Sequence, residues 1–432
     1  MDFPKQMEIE KRNSPAAGRN YPGRGQRDAE EKDLLAAHFN RLFVLIFAYC
    51  FEIECTRVYC KNYCTTPACV MTAATILNSL DQTVDPCEDF YQYACGGWIK
   101  SHSLSEDAVM FSKMTKRLAD NLHIFKYVLE DESFELKGEA EKNARILYRS
   151  CMNTTRIEER GARPLLDLFK KIGGWNISGD FNINDWDFQK ALDLINNNNL
   201  ASSFFAWVIM ADLKNSSQNS LVVQQTELTL DSRDYYLNKT MDDKVISALL
   251  EYMTKTGVLL GGEEHATRLQ MQDVIDFEMK LAEIMLSAEE LADHNLTYRK
   301  LTINQLQMVS PFINWRHHFH SAFKMVDREI HSSEPVIVFG LDYLKKLSEL
   351  VTAYLSNAKG RVTVANYLAW KLVHSSLDHF SKPFREAGHD LKVAIFGGDT
   401  EDIRWGTCVK DVHESMGFAL SAMFVRKYFS GE

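Results

Sequence analysis

Four cysteines crowd into the stretch from Cys64 to Trp98, first in a CTTPAC loop and then in DPCEDFYQYACGGW. Cysteines at this density point to an exported, disulfide-built protein that forms part of something larger. Asp85, Pro86 and Glu88 have the spacing of an N-cap, a first-turn proline and the N3 glutamate of a capping box, which predicts a helix from Pro86 to about Cys95. On that helix Cys87 and Cys95 would stand roughly 12 Å apart at 1.5 Å per residue. A disulfide needs its Cα atoms within about 7 Å. The two sulfurs therefore cannot pair with each other, and each must find a partner elsewhere.

The 432 residues exceed the usual limit of a single core, so a large domain with a smaller appended segment is expected. An apolar fraction of 45% is ample for packing. A net charge of −10 without a basic cluster excludes a nucleic-acid partner. Residues 1–33 are polar, rich in charge and punctuated by Pro4, Pro15 and Pro22, the composition of a disordered tail. LFVLIFAYCF, Leu42 to Phe51, is too short for an ordinary membrane span, which takes about 20 residues. The window 34–53 reaches that length but admits His38, Asn40, Arg41 and Glu52. A membrane anchor, an internal signal-like segment and a faulty gene model all remain open there.

Beyond the cysteines the periodicity is mostly helical. Ala140, Ala144, Leu147 and Cys151 recur on one helical face, and Val274, Ile275, Glu278, Leu281, Ala282 and Met285 nearly so. Leu350 to Leu377, with a break at Gly360, and Val409 to Phe429 read as amphipathic helices. Phe204 to Gln225 reads as a β-hairpin, FFAWVIMADL and SLVVQQ bracketing a polar KNSSQN turn. Pro335 to Phe339 has strand character, and Asn196 to Asn199 reads as a loop. The fold class is therefore mainly α, a large helical domain with a small β-hairpin.

TVDPCEDFYQYACGGWIK resembles the opening signature of the extracellular part of the M13 zinc metallopeptidases, the neprilysin and endothelin-converting enzyme family. In order follow LYRSCMNTTRIEERGARPLLDLFKKIGGWNISG from Leu147, DLKNSSQN from Asp212, SRDYYLNKT from Ser232, DFEMKLAEI from Asp276, INWRHHF from Ile313, EPVIVFGLDYL from Glu334 and RWGTCVKDVHESMGFALSAMFV from Arg404. The resemblance runs from about Tyr63 to the end and is closer to the endothelin-converting branch. It implies the N-terminal half of a two-domain ectodomain: a cysteine-rich entry segment, 54–106, that packs on a catalytic domain, and a helical domain, 107–432. It also implies a type II membrane anchor at 34–53 behind a cytoplasmic tail, with a plasma-membrane location; a secreted form is the alternative.

Members of that family hold zinc with HExxH, two histidines one helical turn apart and a glutamate that activates water. No HExxH occurs here. The His413-Glu414 pair meets Gly417 where the second histidine would stand. The resemblance places zinc in a half that this chain does not contain, so catalytic residues, metal ligands and cofactors within it are expected to be none. Downstream of GGW many members carry an arginine that holds the peptide substrate. Ungapped counting puts Met110 there, followed by Phe111, Ser112, Lys113 and Met114, and methionine cannot clamp a carboxylate.

The same resemblance implies disulfides Cys64–Cys69 and Cys151–Cys408. By loop-closure entropy the long bridge is worth roughly 5 to 6 kcal/mol and the short one about 2, both upper-end figures. Cys87 and Cys95 would bridge to the catalytic half; within this chain they are left unpaired, or mispaired with Cys50, Cys55 or Cys60. Sequons stand at Asn153, Asn176, Asn215, Asn238 and Asn295. His317, His318 and His320 are expected as surface histidines, and His374 and His379 as structural or solvent-facing. Gly173-Gly174 and Gly397-Gly398 read as turns.

Three functional expectations follow. The chain is the non-catalytic portion of a membrane zinc metalloendopeptidase acting on small extracellular peptides. Alternatively it is an enzyme-dead surface or secreted module that binds peptides or pairs as a homo- or heterodimer. The third is a truncated product without a role.

Overall fold

In the computed structural model, residues 64–102, 112–179, 181–198, 200–397 and 403–429 are described. The tail expected at 1–33, the segment 34–53, Cys50, Cys55, Cys60 and Met110 lie outside them. The chain divides into two units at Ser103/Leu104.

In the first unit, helices α1 (Pro67–Ser79) and α2 (Phe90–Ser101) form a hairpin. Thr66 caps α1 beside the Cys64–Cys69 disulfide, whose Cα atoms are 5.8 Å apart. The hairpin closes because Gly96 and Gly97 lack side chains. A Cβ on Gly97 would sit 2.5 Å from the Leu80 carbonyl oxygen, and one on Gly96 would be 2.8 Å from Asp81 Cβ. Asp81 then locks the corner, its carboxylate accepting from Lys100 Nζ at 2.6 Å and from Thr83 Oγ1 at 2.6 Å. These bonds hold its carboxyl far below the usual range.

The helix expected from Pro86 begins four residues later. Asp89, not Asp85, is the N-cap, accepting from the Gln92 amide at 2.9 Å. Asp85 instead accepts from the Cys87 amide at 2.8 Å within a turn. Both aspartates have a Glu or Gln at N3, so the capping-box pattern alone does not separate them. Cys87 thus precedes the helix that carries Cys95, so the helical-spacing argument does not apply to the pair.

In the second unit, α3 (Lys113–Glu130), α4 (Glu139–Met152), α5 (Thr154–Arg160), α6 (Arg163–Ile172) and α7 (Phe188–Asn197) lead into strands β1 (Phe205–Asp212) and β2 (Asn215–Gln225). Helices α8 (Lys244–Leu259) and α9 (Glu264–Ile284) follow, then β3 (Tyr298–Thr302), α10 (Ile303–Val309), α11 (Trp315–Phe323) and β4 (Pro335–Phe339). The chain finishes with α12 (Leu341–Leu355), α13 (Ala358–Ser376), α14 (Lys382–Ala387), α15 (His389–Phe396) and α16 (Arg404–Tyr428). The class is mainly α with a small sheet, as expected.

The hairpin is tighter than its composition implies. Asn215 to Asn219 belong to β2, leaving Leu213-Lys214 as the connection; Asn219 lies opposite Ala211 and Asn215 opposite Asp212, with a register shift between them. Two further strands extend the hairpin into a mixed sheet of order β1-β2-β4-β3, with β2 and β4 parallel. Leu221, Val223, Val336 and Val338 point into the main core with Phe277, Tyr367 and Trp370, and Val222 and Ile337 to the other face, the period-2 alternation of a strand. The helical run from Leu350 breaks at Ser356-Asn357 rather than at Gly360. Asn357 caps α13 by accepting from the Gly360 amide, and a Cβ on Gly360 would collide with the Tyr354 carbonyl. Asn196 and Asn197 are the last turn of α7, not loop, because Asn196 donates to the Phe205 carbonyl and accepts from Ser203 Oγ.

A second core joins α3, α4 and α16 through Leu129, Ala144, Tyr148, Val409, Val412 and Leu420. The Cys151–Cys408 disulfide crosses it, with Cα atoms 5.6 Å apart.

In the main core Glu278 on α9 is fully buried. One oxygen accepts from the Thr229 amide at 3.1 Å and Thr229 Oγ1 at 2.7 Å, the other from Tyr236 Oη at 2.7 Å. Burial pushes its carboxyl upward, opposed by the Lys371 ammonium and these donors. Trp370 Nε1 donates to Thr229 Oγ1 at 2.7 Å and extends the network to α13. Removing one member of a buried charged network strands the others. Glu278→Leu should therefore cost about 3–5 kcal/mol in urea unfolding, and Glu278→Gln, which keeps an acceptor, should cost less.

Candidate functional site

The one His-Glu pair in the sequence lies on α16, and its geometry is not that of a ligand site. His413 and Glu414 are exposed, and the His413 ring stacks on Phe125 with centroids 5.7 Å apart. Met416 has φ −136° and ψ 34°, so the helix kinks where a two-histidine motif needs an unbroken turn. Gly417, one turn after His413, offers no donor. Among the described residues no group of three His, Cys, Asp or Glu side chains could hold a metal ion. A zinc ion does not fit the described residues.

The histidine-rich helix α11 departs from expectation. His317 is exposed, but His318 is fully buried among Phe205, Trp315 and Phe319. Its Nδ1 is 2.5 Å from Asp193 Oδ1, and His317 Nε2 is 3.4 Å from the other oxygen. The cause is tertiary: Asp193 lies on α7, which packs across α11, and Gln189 Nε2 adds a third contact at 2.8 Å. A surface cluster in sequence is thus partly a core pair, with Asp193 the member that spacing within 317–320 could not reveal.

His374 is half-buried, stacked on Trp370 and 3.1 Å from Tyr252 Oη. Burial, aided by the Lys371 ammonium, pushes its imidazole down to about 4. His379 does the opposite: its bond to Asp411 at 3.0 Å raises it. Cys87 is exposed and Cys95 half-buried, and neither forms a disulfide among the described residues. Asn153, Asn215, Asn238 and Asn295 are exposed, Asn238 with φ 57°. Asn176 is half-buried, its Nδ2 donating to Gln270 Oε1 at 2.5 Å.

A model of peptidase family M13 matches residues 86–432. The chain is 42% identical over 372 residues to an endothelin-converting enzyme homolog of Locusta migratoria, covering 86% of this chain and 51% of that protein. It is 40% identical over 369 residues to endothelin-converting enzyme 1 of Rattus norvegicus, covering 85% and 47%. Against Neprilysin-3 of Drosophila melanogaster the identity is 38% over 372 residues, covering 85% and 47%. The chain spans about half the length of these curated relatives. Among solved structures it superposes on the zinc metalloprotease ZMP1 of Mycobacterium tuberculosis in its open state, with TM-score 0.62, 17% identity and coverage of 80% of this chain and 51% of that one. PEPO from Lactobacillus rhamnosis gives 0.61, 15%, 80% and 52%. At such identities the likeness shows the fold.

His374 and His379 make opposite contributions to pH dependence. A folded-state pKa lowered to about 4 at His374 means the unfolded chain binds the extra proton first, so stability falls as pH drops below about 6.5. The raised His379 adds stability that is present below about 6.5 and lost as pH rises through its folded value. Urea midpoints of His374→Gln should show a shallower decline than wild type between pH 6.5 and 5, whereas His379→Gln should lose its deficit relative to wild type as pH rises toward 9.

Proposed function

The chain belongs to peptidase family M13, and on that premise we propose that it is the N-terminal, non-catalytic portion of a neprilysin- or endothelin-converting-enzyme-like membrane zinc metalloendopeptidase that processes small extracellular peptides. The observation that carries this reading is a mismatch: the family model accounts for residues 86–432, yet the sequence has no HExxH and the kinked α16 presents Gly417 where a second imidazole would be needed.

In this reading the helical domain, 107–432, walls a chamber and limits substrates by size, and the entry segment, 54–106, packs on the catalytic domain. Cys87 and Cys95 bridge to that domain, and residues 34–53 anchor the assembly in the plasma membrane. Met110 in place of an arginine leaves Lys113 as the nearby cation for a peptide carboxylate. A second reading, an enzyme-dead surface or secreted module that binds peptides or pairs with another chain, draws on Cys87 and Cys95, which have no disulfide partner among the described residues and are available for intermolecular bridges.

The purified 432-residue chain is expected to hold no stoichiometric zinc by atomic absorption and to leave a fluorogenic peptide uncut. Zinc at one equivalent with chelator-sensitive cleavage would overturn the proposal. Transcript sequence past codon 432 should show an in-frame HExxH, and an authentic stop there favours the second reading. Peptide mapping of secreted material should find glycans at Asn153, Asn215, Asn238 and Asn295 and none at Asn176, whose amide nitrogen is engaged by Gln270.

A further inference from the structure

The sheet has two edges of different chemistry. β3 carries Arg299 and Lys300, charges of the kind that discourage another strand from adding. β1 carries no charge from Phe205 to Ala211, and Val208, Ile209 and Met210 are 45%, 48% and 37% exposed. An edge of that composition is a template for strand addition.

One bond tells which backbone groups are open. Asn196 Nδ2 reaches the Phe205 carbonyl at 3.2 Å from α7, on the side away from β2. Backbone groups alternate along a strand, so Phe205, Trp207 and Ile209 direct their amides and carbonyls outward, while Ala206, Val208 and Met210 bond β2. Phe205 has its carbonyl taken by Asn196. Among the described residues Trp207 and Ile209 have no backbone partner on the outward side. A cleft of about 150 Å³, lined by Asn196, Ala201, Ser202, Phe205, Ala206 and Trp207, opens at the start of this edge.

We propose that the open edge of β1 binds an extended, uncharged peptide segment as a fifth strand, paired to the backbone of Trp207 and Ile209, with one terminal side chain seated in the cleft. Alternating donors and acceptors at strand spacing are satisfied by another extended backbone, and main-chain bonds of this type bind peptides with little demand on sequence. The segment is uncharged because the edge offers apolar neighbours on both faces and no charge to pair. A second copy of the chain fits less well. The register shift between Ala211 and Asp212 ends the regular edge, leaving Trp207 to Ala211, roughly 17 Å at about 3.4 Å per residue. So short a contact falls well below the ~1,200 Å² or more of a stable dimer. This binding is independent of zinc chemistry and of the family reading.

The test uses the full chain and a fluorescent, acetylated and amidated seven-residue peptide of alternating threonine and valine, read by anisotropy. A second copy of the peptide is N-methylated at alternate residues. Saturable binding is expected, with slowed hydrogen exchange at the Trp207 and Ile209 amides and no binding by the methylated copy. Ile209→Pro removes an outward amide without touching the ladder to β2, and should weaken binding at least tenfold. Ile209→Lys should do the same by placing a charge on the edge, and serves if proline disturbs the fold by circular dichroism. Equal binding of the methylated peptide, unchanged affinity in folded variants, or no saturation up to millimolar peptide would overturn the proposal. So would a dimer in sedimentation that Ile209→Lys dissolves, since a second copy would then own the edge.

Discussion

The Cys151–Cys408 bridge ties α4 to α16 across 257 residues, so nearly the whole helical domain is a single closed loop between two adjacent sulfurs. Its neighbours reinforce the same contact. Arg404 donates to the Cys151 carbonyl at 2.8 Å, and Arg426 grips Glu141 with bonds of 2.6 and 2.7 Å. Loop closure of that length restrains the unfolded chain more than any local link could. The three-helix core of α3, α4 and α16 then has a covalent seam as well as an apolar one, and the main core around Glu278, Tyr236 and Trp370 folds inside the loop it closes.

The family relationship and the ligand chemistry of the described residues lead in different directions, and the difference is informative. Helix α16 carries the one His-Glu pair of the sequence, but it kinks at Met416 and His413 stacks on Phe125 rather than joining a set of metal ligands. Membership of a zinc-peptidase family describes ancestry of the fold. Ligand chemistry has to be found residue by residue, and the described residues do not assemble it.

Much of the fold could be read from local pattern. The helical faces through Ala144 and Cys151 and through Val274 to Ala282 are helices, and Pro335 to Phe339 is a strand. Misreadings arose where two local solutions compete or where a distant group intervenes. Asp85 and Asp89 both look like caps with Glu or Gln at N3, and the cap falls to Asp89. Asn215 to Asn219 has turn composition but belongs to β2, its two ends paired with Asp212 and Ala211 across a register shift. Asn196 has loop composition but is buried by bonds to Phe205 and Ser203. His318 has surface company in sequence, and only α7, 125 residues earlier, supplies the carboxylate that buries it.

Taken alone, the order of residues determined the helical periodicity, the hairpin, the missing HExxH and the family likeness, because each is written in spacing along a few turns or in motif identity. Which histidine is buried and which of two sheet edges is open were decided by tertiary packing. Those outcomes depend on groups distant in the chain meeting in space, and burial makes an unpaired polar group costly enough to select one arrangement.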